Sequence, residues 1–405
     1  MSHNEPLPWD DDLERQAVHS PEWLGEDNRP QAEAISVASV WQMDSPETAD
    51  DALAGKSGAY AYRRDGHPNE RALAAKLAKM HAAERAILTA QGMSAIAAVA
   101  LAVLRPGTTA WIGSELYGKS TKLFVNDLKS WGVVARTFDA SDLQAVNALR
   151  EGPADLVLIE TMSNPRLRVP DIAAVANATH HAKGLLVVDN TFATHLLCQP
   201  LTLGADLVVE SLGKQVNGHS DSMLGLVAVK DGGLASRIAD IVSTFGMASS
   251  PLDCYLTHRG LMSLGLRVER ACRNAAALAE ALENVDTVSS VDYPGLHSHL
   301  QHELATQQLR GGYGWMLSFT LPIERGDVLK LFDCLRPDIP FVPSLGDINT
   351  TVSHPATTSH RGLTAAQRQL LGIEEGTIRV SCGAEPTQWL VDRFTTAIRH
   401  AFAST

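Results

Sequence analysis

The sequence predicts an α/β protein in which a sheet is covered by helices on both faces, followed by a smaller α/β domain at the C-terminus. Short runs in the middle of the chain do not alternate between apolar and polar residues, and their charged residues stand only at their ends: 155–160, 185–189, 207–210 and 226–229. A strand that is apolar on both faces belongs in a sheet buried on both sides. Apolar residues at helical spacing over 69–86 and an all-apolar stretch at 95–104 predict helices that cover this sheet.

The pattern changes in the last third of the chain. A helical block at about 252–284 is followed by runs at 314–321 and 378–381 that predict strands of a second, smaller sheet. A helical pattern over 386–403 closes the chain. These elements predict a separate C-terminal α/β unit.

Length and this change of pattern predict the domain organisation. The 405 residues exceed the size at which a single hydrophobic core usually stops growing. We predict an extended N-terminal arm over 1–65, a large domain over 66–265 and a smaller C-terminal domain over 266–405. The arm is predicted from its prolines and its lack of periodicity, and we expect it to take its shape from a surface on which it packs.

Composition excludes several classes of protein. The chain carries 34 basic and 46 acidic residues, a net charge of −12, which argues against nucleic acid or an anionic membrane as a partner. The longest apolar run, 95–104, is too short to span a bilayer, and the N-terminus lacks the pattern of a secretory signal. We therefore expect a soluble cytoplasmic protein.

The cysteines predict neither disulfides nor a metal site. There are five of them, an odd number, and none forms a C-x-x-C pair. Such a pattern is typical of reduced thiols in a cytosolic protein. We expect no bound metal.

Polar side chains follow two of the predicted strands. Asp189 ends the run at 185–189, and Ser211 follows the run at 207–210, with Lys214 just beyond it. Ligands in open α/β sheets lie beyond the carboxyl ends of strands, so these side chains are candidates for one pocket. Spacing alone leaves the ordinary alternative open, in which Asp189 caps a turn and Lys214 is a solvated loop residue.

A longer stretch of sequence favours the functional alternative. Residues 189–225 read DNTFATHLLCQPLTLGADLVVESLGKQVNGHSDSMLG. Further motifs follow the same order along the chain: 62–68 (YRRDGHP), 92–93 (GM), 116–118 (LYG), 160–165 (ETMSNP), 344–346 (SLG), 354–356 (HPA) and 378–381 (IRVS). Together they closely resemble the Cys/Met metabolism enzymes that depend on pyridoxal 5'-phosphate (PLP), a family that includes cystathionine γ-synthase, cystathionine γ- and β-lyases and methionine γ-lyase.

This resemblance implies the fold and the assembly. It implies a PLP-dependent transferase of fold type I, similar to aspartate aminotransferase, with a large mixed, mostly parallel sheet. It also implies a homodimer that shares its active sites and usually pairs into a homotetramer.

The resemblance also implies roles around the cofactor. Lys214 would hold the aldehyde of PLP and act as the base at the substrate Cα. Asp189 would keep the pyridine nitrogen protonated. Tyr117 would stack on the ring and assist proton transfer, and Asn164 would bind the phenolate oxygen.

A second set of residues would bind the cofactor phosphate. Gly92 and Met93 begin the apolar helix, where backbone N–H groups can meet an anion, and Ser211 adds a hydroxyl donor. Tyr62 and Arg64 would reach the phosphate from the neighbouring subunit, where a guanidinium supplies charge and forked donors.

The substrate is implied to be a small amino acid. Arg379 would bind its α-carboxylate, since a bidentate guanidinium fixes the orientation of the Cα–H bond. Ser344 and Asn164 would line the same pocket.

The sequence departs from the family pattern at four positions. Gly213 stands where a Thr is usual, and Gln91 replaces the usual Ser before Gly-Met. Lys119 and Pro343 replace residues near the substrate, the second of which is commonly Glu in enzymes that handle cystathionine. These departures leave the substrate open.

We therefore expect a PLP-dependent enzyme of sulfur amino-acid metabolism that catalyses elimination or replacement at Cγ of cystathionine or an activated homoserine. A cystathionine β-lyase or a methionine γ-lyase remains an alternative, as does a PLP-binding paralogue without turnover. A nucleotide-binding oxidoreductase is disfavoured because no G-x-G-x-x-G follows a predicted strand.

Overall fold

The strands form two sheets in the computed structural model, which describes residues 8–18, 31–323 and 325–402. The seven strands of the larger sheet are β1 (Arg85–Thr89), β2 (Thr109–Gly113), β3 (Val134–Phe138), β4 (Leu156–Glu160), β5 (Leu185–Asp189), β6 (Leu207–Ser211) and β7 (Gly225–Val229). The four strands of the smaller sheet are β8 (Ser290–Asp292), β9 (Met316–Thr320), β10 (Thr351–Ser353) and β11 (Thr377–Ser381).

Helices precede, separate and follow these strands. In the first half of the chain they are α1 (Asp11–Val18), α2 (Pro46–Leu53), α3 (Pro68–Met80), α4 (Gly92–Val103), α5 (Gly118–Lys122), α6 (Leu143–Ala148), α7 (Ile172–His181) and α8 (Thr194–Leu197). In the second half they are α9 (Gly232–Thr244), α10 (Pro251–Leu261), α11 (Leu264–Glu283), α12 (His302–Gln308), α13 (Arg325–Leu335), α14 (Ala365–Leu370) and α15 (Thr387–Phe402).

The order of strands in the larger sheet is β1-β7-β6-β5-β4-β2-β3. Strands β3, β2, β4, β5 and β6 pair in parallel, whereas β7 pairs antiparallel with both β6 and β1. The sheet is thus mixed and mostly parallel, as predicted. Because β4, β5 and β6 run the same way, their last residues, Glu160, Asp189 and Ser211, meet at one edge.

Apolar cores cover both faces of this sheet. This confirms the prediction made from strands that lack alternating polar residues. Along β6, Val208 packs in the core on one face, while Leu207 and Val209 pack in the core on the other. Helix α4 supplies Ala95 and Val99 to the second core. Strands with both faces buried carry apolar residues on both faces, which is why the alternation with polar residues is absent.

The smaller sheet is antiparallel, in the order β10-β11-β9-β8. Its core contains Phe319 of β9 and Phe394 of α15, whose rings meet edge to face at 6.4 Å. Helix α11 joins the two units, since Val268 packs in the core of the larger sheet and Leu278 in that of the smaller one.

The predicted helix over 69–86 is too long. Helix α3 ends at Met80, the chain turns at Ala82 with a left-handed φ of 53°, and β1 begins at Arg85. Strand β1 is favoured because Ile87 and Leu88 pack on opposite faces of the sheet. Ladder pairing with β7 and burial on both faces therefore override the local helical pattern.

Helices α1 and α2 form within the segment predicted as an N-terminal arm. Leu13 and Ala17, one helical turn apart, bury one face of α1 in the core of the larger sheet. Helix α2 begins after Ser45, whose hydroxyl accepts a hydrogen bond from the backbone N–H of Thr48 at 3.2 Å. The rest of the predicted arm, at 1–7 and 19–30, lies outside the described residues.

Across the described ranges, no helix is both long enough and apolar enough to span a membrane.

Candidate active site

Lys214 lies in the loop after β6, at the edge where the parallel strands end. Its Nζ donates a hydrogen bond to Oγ of Ser344 at 2.7 Å, and its backbone N–H bonds the carbonyl of Ser211 at 3.2 Å. Burial and the nearby charge of Arg379 lower the pKa of Lys214 below the ordinary lysine value. Both effects favour the neutral amine, which is the nucleophilic form.

Asp189, at the end of β5, is fixed by Thr191. Its Oδ1 accepts hydrogen bonds from the backbone N–H of Thr191 at 3.0 Å and from the Thr191 hydroxyl at 2.6 Å. The same hydroxyl oxygen accepts from the backbone N–H of Ser211 at 2.9 Å, so the ends of β5 and β6 are tied together. Burial raises the pKa of Asp189 to about 6, and Glu210 adds to the rise, while the bonds from Thr191 oppose it.

The start of helix α4 lies directly against the end of β6. A Cβ placed on Gly92 would lie 2.9 Å from Cβ of Ser211, so only glycine allows this approach. No side chain of the described residues caps α4 at Gln91, which leaves its first N–H groups available to an anion. Met93 follows, with its sulfur 3.8 Å from the hydroxyl of Ser120.

Arg379, on β11, brings the smaller sheet into the site. It is only 4% exposed, and it donates hydrogen bonds to Oδ1 of Asn164 at 3.0 Å and to the carbonyl of Ser344 at 3.1 Å. Its buried Nε finds no hydrogen-bond partner among the described residues. Burial lowers the pKa of Arg379 to about 10, and the group remains a cation at neutral pH.

Tyr117 precedes α5 and is bound through its backbone to Glu160, a residue that the sequence analysis did not single out. The N–H of Tyr117 donates to Oε1 of Glu160 at 2.6 Å, and the side chain of Tyr117 is 42% exposed. Burial and the neighbouring Asp189 raise the pKa of Glu160 well above its ordinary value. Glu160 ends β4 and begins the motif 160–165, and this position could have identified it from the sequence.

His360 is a second residue that sequence reasoning missed. It is 4% exposed, and its Nδ1 lies 2.9 Å from the hydroxyl of Ser359. Burial and the charge of Arg379 lower the pKa of His360 to about 4, so the imidazole is neutral at physiological pH. A single histidine in a loop offers no sequence pattern, and only the fold brings it near Arg379.

Among the described residues, no hydrogen bond, ion pair or ring contact joins Tyr62 or Arg64 to Lys214. Their side chains are about half exposed, and the guanidinium of Arg64 lies over the Tyr62 ring, 5.0 Å from its centroid. The Arg64 side chain also forms an ion pair with Asp65, with Nε 4.0 Å from Oδ1.

The four departures from the family pattern have different surroundings. A Cβ on Gly213 would lie 2.5 Å from the carbonyl oxygen of Ser222, so the backbone leaves no room for a Thr. Lys119, Pro343 and Gln91 are exposed. Only the departure at Gly213 therefore has a packing reason.

The residues present fit PLP. The phosphate would meet the uncapped start of α4 at Gly92, and the lowered pKa of Lys214 suits an amine that binds an aldehyde. The Asp189 carboxylate suits a pyridinium nitrogen. The unpartnered Nε of Arg379 offers a further donor to a carboxylate.

Comparisons with known proteins agree with this geometry. Residues 14–399 match the family model of the Cys/Met metabolism PLP-dependent enzymes. The chain is 35% identical to an O-succinylhomoserine sulfhydrylase of Pseudomonas aeruginosa, over 87% of each chain. It is 34% identical to the cystathionine gamma-lyase of Rattus norvegicus, over 95% of each chain.

A solved structure extends the likeness to three dimensions. The cystathionine gamma synthase of Xanthomonas oryzae pv. oryzae, in complex with aminoacrylate and cysteine, superimposes with a TM-score of 0.90 at 34% identity. The match covers 97% of this chain and 99% of that one. The chain described here belongs to the family of Cys/Met metabolism PLP-dependent enzymes.

Proposed function

We propose that this enzyme catalyses elimination or replacement at Cγ of cystathionine or an activated homoserine. The observation that carries the proposal is the meeting of Lys214 and Arg379 at Ser344, one through the hydroxyl and the other through the carbonyl. A base and a carboxylate-binding cation held by one residue suit an α-amino acid, whose Cα proton and α-carboxylate are close together. Relatives named O-succinylhomoserine sulfhydrylase and cystathionine gamma-lyase support this substrate class.

PLP is the proposed cofactor, and its ring is assigned to four side chains. When bound, PLP supplies an electron-withdrawing ring that stabilises negative charge at the substrate Cα. Lys214 holds the cofactor aldehyde, Asp189 pairs with the ring nitrogen, Tyr117 stacks on the ring and Asn164 binds the phenolate oxygen. The hydrogen bonds from Thr191 hold Asp189 in one orientation, which suits a fixed partner for a planar ring.

The phosphate of the cofactor is assigned to the start of α4. Gly92 and Met93 offer backbone N–H groups, and Ser211 adds a hydroxyl from the adjacent strand end. Gly213 offers no hydroxyl here, so we propose that Arg64 and Tyr62 of a neighbouring subunit complete the phosphate site. Their half-exposed side chains support this assignment.

The substrate carboxylate is assigned to Arg379. Asn164 and Ser344 hold the guanidinium from two sides, so it is oriented before the substrate arrives. Lys214 then removes the Cα proton. For chemistry at Cγ the same amine moves a proton at Cβ, and its lowered pKa favours the neutral amine that accepts a proton.

The assembly follows from the shared site. A site completed by Tyr62 and Arg64 of another chain makes a homodimer the smallest active unit, and we propose that two dimers form a homotetramer in the cytoplasm. Within each chain, we propose an arm (1–65), a large domain (66–265) and a smaller domain (266–405).

Two departures bear on specificity. Pro343 supplies no carboxylate for the distal ammonium group of cystathionine, and Lys119 is exposed beside Tyr117. We therefore expect weaker discrimination for cystathionine over shorter substrates than in enzymes with Glu at the position of Pro343. A strong kinetic preference for cystathionine over its monofunctional analogues would contradict this expectation.

Product analysis tests the proposal. The PLP-loaded protein is incubated separately with cystathionine, with methionine, and with O-acylhomoserine plus cysteine. Cleavage of cystathionine to cysteine and 2-oxobutanoate, or its synthesis from O-acylhomoserine, supports chemistry at Cγ, with the Lys214→Ala variant as the control. Methanethiol from methionine would identify a methionine γ-lyase, and homocysteine with pyruvate a cystathionine β-lyase. Binding without any product would identify a paralogue without turnover and overturn the proposal.

A further inference from the structure

Three polar side chains meet in the apolar core on one face of the larger sheet, apart from the active site. They are His81, His195 and Glu210, which are 1%, 0% and 1% exposed. A ligand atom from each lies within 4.8 Å of those of the other two. Nothing in the mechanism proposed above uses them.

Three separate elements bring these side chains together. His81 is the C-cap residue of α3, and His195 lies in the short helix α8 after β5. Glu210 is on β6, on the same face as Val208, which belongs to the core that contains Leu77 of α3. The cluster therefore joins a helix end, a connecting segment and a central strand.

Most of the polar atoms in the cluster lack partners. Within the described part of the chain, no hydrogen bond reaches either ring nitrogen of His81 or His195, or Oε2 of Glu210. Nε2 of His81 lies 3.6 Å from Oε2 of Glu210, which is too long for a hydrogen bond. The other oxygen of Glu210 accepts from Asn190 at 2.9 Å. Buried polar groups without partners are rare and costly, so each needs a cause.

Protonation of one histidine would give partners to only some of the unpaired polar atoms in the cluster. A proton on His81 would pair it with Glu210, but both nitrogens of His195 would remain without a partner. One bound cation would satisfy an atom of each of the three residues and would also neutralise the buried carboxylate.

We propose that His81, His195 and Glu210 bind a divalent transition-metal ion of the zinc class. Two imidazoles and one carboxylate are ligands that such ions accept. Ligand atoms around a tetrahedral ion with bonds of about 2.0 Å are about 3.3 Å apart, so small rotations of the side chains close the present separations. Among the described residues no fourth His, Cys, Asp or Glu joins the group, and a water molecule takes the remaining position.

Lys76 carries a positive charge that opposes a cation here. It lies close enough to His195 to affect it electrostatically, but its ammonium donates to the carbonyl of Ala17 at 2.6 Å and contacts His258 at 3.3 Å. Glu33, bonded to His258 at 3.0 Å, supplies a compensating negative charge. The buried carboxylate of Glu210 supplies a negative charge within the cluster, which favours a cation.

The ion would brace the strand ends that carry the active site. Glu210 precedes Ser211, and its partner Asn190 follows Asp189. The buried position gives no access to substrate, so the role is structural. Metal binding would then stabilise the folded protein, because an ion that binds only the native state shifts unfolding to higher temperature.

Metal analysis tests the site directly. The untagged holoenzyme, grown with zinc and dialysed, should retain about one zinc ion per chain. The Glu210→Gln variant keeps the shape and an acceptor for Asn190 but removes the charge and the ligand, so it should lose most of the ion. The matched control is His180→Gln, because His180 also faces a carboxylate, that of Asp206 at 2.9 Å, but on the surface. It should retain the ion.

A second measurement does not depend on folding of the variants. After chelation, wild-type protein titrated with Co²⁺ should develop the visible bands of a tetrahedral site, and Zn²⁺ should abolish them and raise the melting temperature. Absence of metal from the purified protein together with no response to Co²⁺ or Zn²⁺ would overturn the proposal. So would equal metal content in wild-type and Glu210→Gln proteins.

Discussion

Lys214 and Ser344 are joined by a hydrogen bond of 2.7 Å although they lie 130 positions apart in the chain. The first residue belongs to the loop after β6 of the larger sheet, and the second lies shortly before β10 of the smaller one. The amine is therefore oriented by both units. Arg379 donates to the carbonyl of the same serine, so the segment at Ser344 links the proposed base to the proposed carboxylate-binding residue.

Replacing Lys214 should abolish cofactor attachment. The Lys214→Ala variant should keep its fold but lose turnover and the visible absorbance of lysine-bound PLP, because Lys214 is the amine that we assign to the cofactor aldehyde. The measurements are an absorbance spectrum, a circular dichroism spectrum and an activity assay. Lys129→Ala, which removes an exposed lysine, is the control and should resemble the wild type. Activity of wild-type size in Lys214→Ala would rule out the assignment.

The pKa of Asp189, about 6 in the unliganded protein, predicts how cofactor affinity depends on pH. Above this pKa the carboxylate is charged and can pair with a protonated ring nitrogen, whereas below it the neutral acid cannot. PLP affinity of the apoprotein should therefore fall as pH decreases through 6. Titrations at several pH values measure it, with Asp189→Asn as the comparison. An equal fall in the Asn variant would assign the pH dependence to another group.

Asp189→Asn should also slow turnover by orders of magnitude. The amide keeps the size of the side chain but removes the charge that holds the ring nitrogen protonated. Steady-state kinetics of the PLP-saturated variant measure the effect. A fall below about tenfold, equivalent to about 1.4 kcal/mol of barrier, would mean that Asp189 is not the partner of the ring nitrogen.

Arg379→Lys should weaken substrate binding and leave the fold intact. Lysine keeps the charge but loses the fork that bonds Asn164 and Ser344 together. Losing one charge-assisted hydrogen bond to the carboxylate should raise KM about 10- to 100-fold. Kinetics with an amino acid and with its analogue lacking the α-carboxylate separate the loss of carboxylate binding from other effects of the substitution. Arg399→Lys, at an exposed position, is the control. Equal loss for both substrates would count against the assignment.

Gly213→Thr should destabilise the protein instead of restoring a phosphate contact. The new Cβ would lie 2.5 Å from the carbonyl oxygen of Ser222, so the backbone must shift. Overpacking of this kind costs about 1–3 kcal/mol of unfolding free energy. Thermal unfolding and PLP retention are measured against Gly362→Thr, where a Cβ meets nothing within 4 Å. Tighter PLP binding at unchanged stability would contradict this account of Gly213.

Mixed subunits should reveal a shared site. Arg64→Ala and Lys214→Ala are each expected to be inactive or weakly active alone. If Arg64 completes the site of a neighbouring chain, a heterodimer contains one intact site, built from Arg64 of one chain and Lys214 of the other. Activity should therefore return after subunit exchange, which mass spectrometry of differently labelled chains verifies. No recovery after verified exchange would place Arg64 in its own chain's site or in none.

Local patterns in the sequence determined the main elements of this protein. Apolar runs without polar alternation identified β4, β5, β6 and β7, because a strand buried on both faces carries apolar residues along most of its length. The motif order placed Asp189 and Lys214 at strand ends, and the parallel direction of β5 and β6 brings those ends to one edge. Such features depend on a few neighbouring residues, so they can be read along the chain.

Tertiary packing alone decided the rest. Strand β1 replaces the end of a predicted helix because it pairs with β7, more than a hundred positions later. Asn164 meets Arg379 across 215 positions, and the crowding at Gly213 comes from the carbonyl of Ser222. His81 and Glu210, from separate elements, approach within 3.6 Å although they lie 129 positions apart in the chain. Contacts like these are set by how whole elements pack, since periodicity records which face of a segment is buried but not which distant residue covers it.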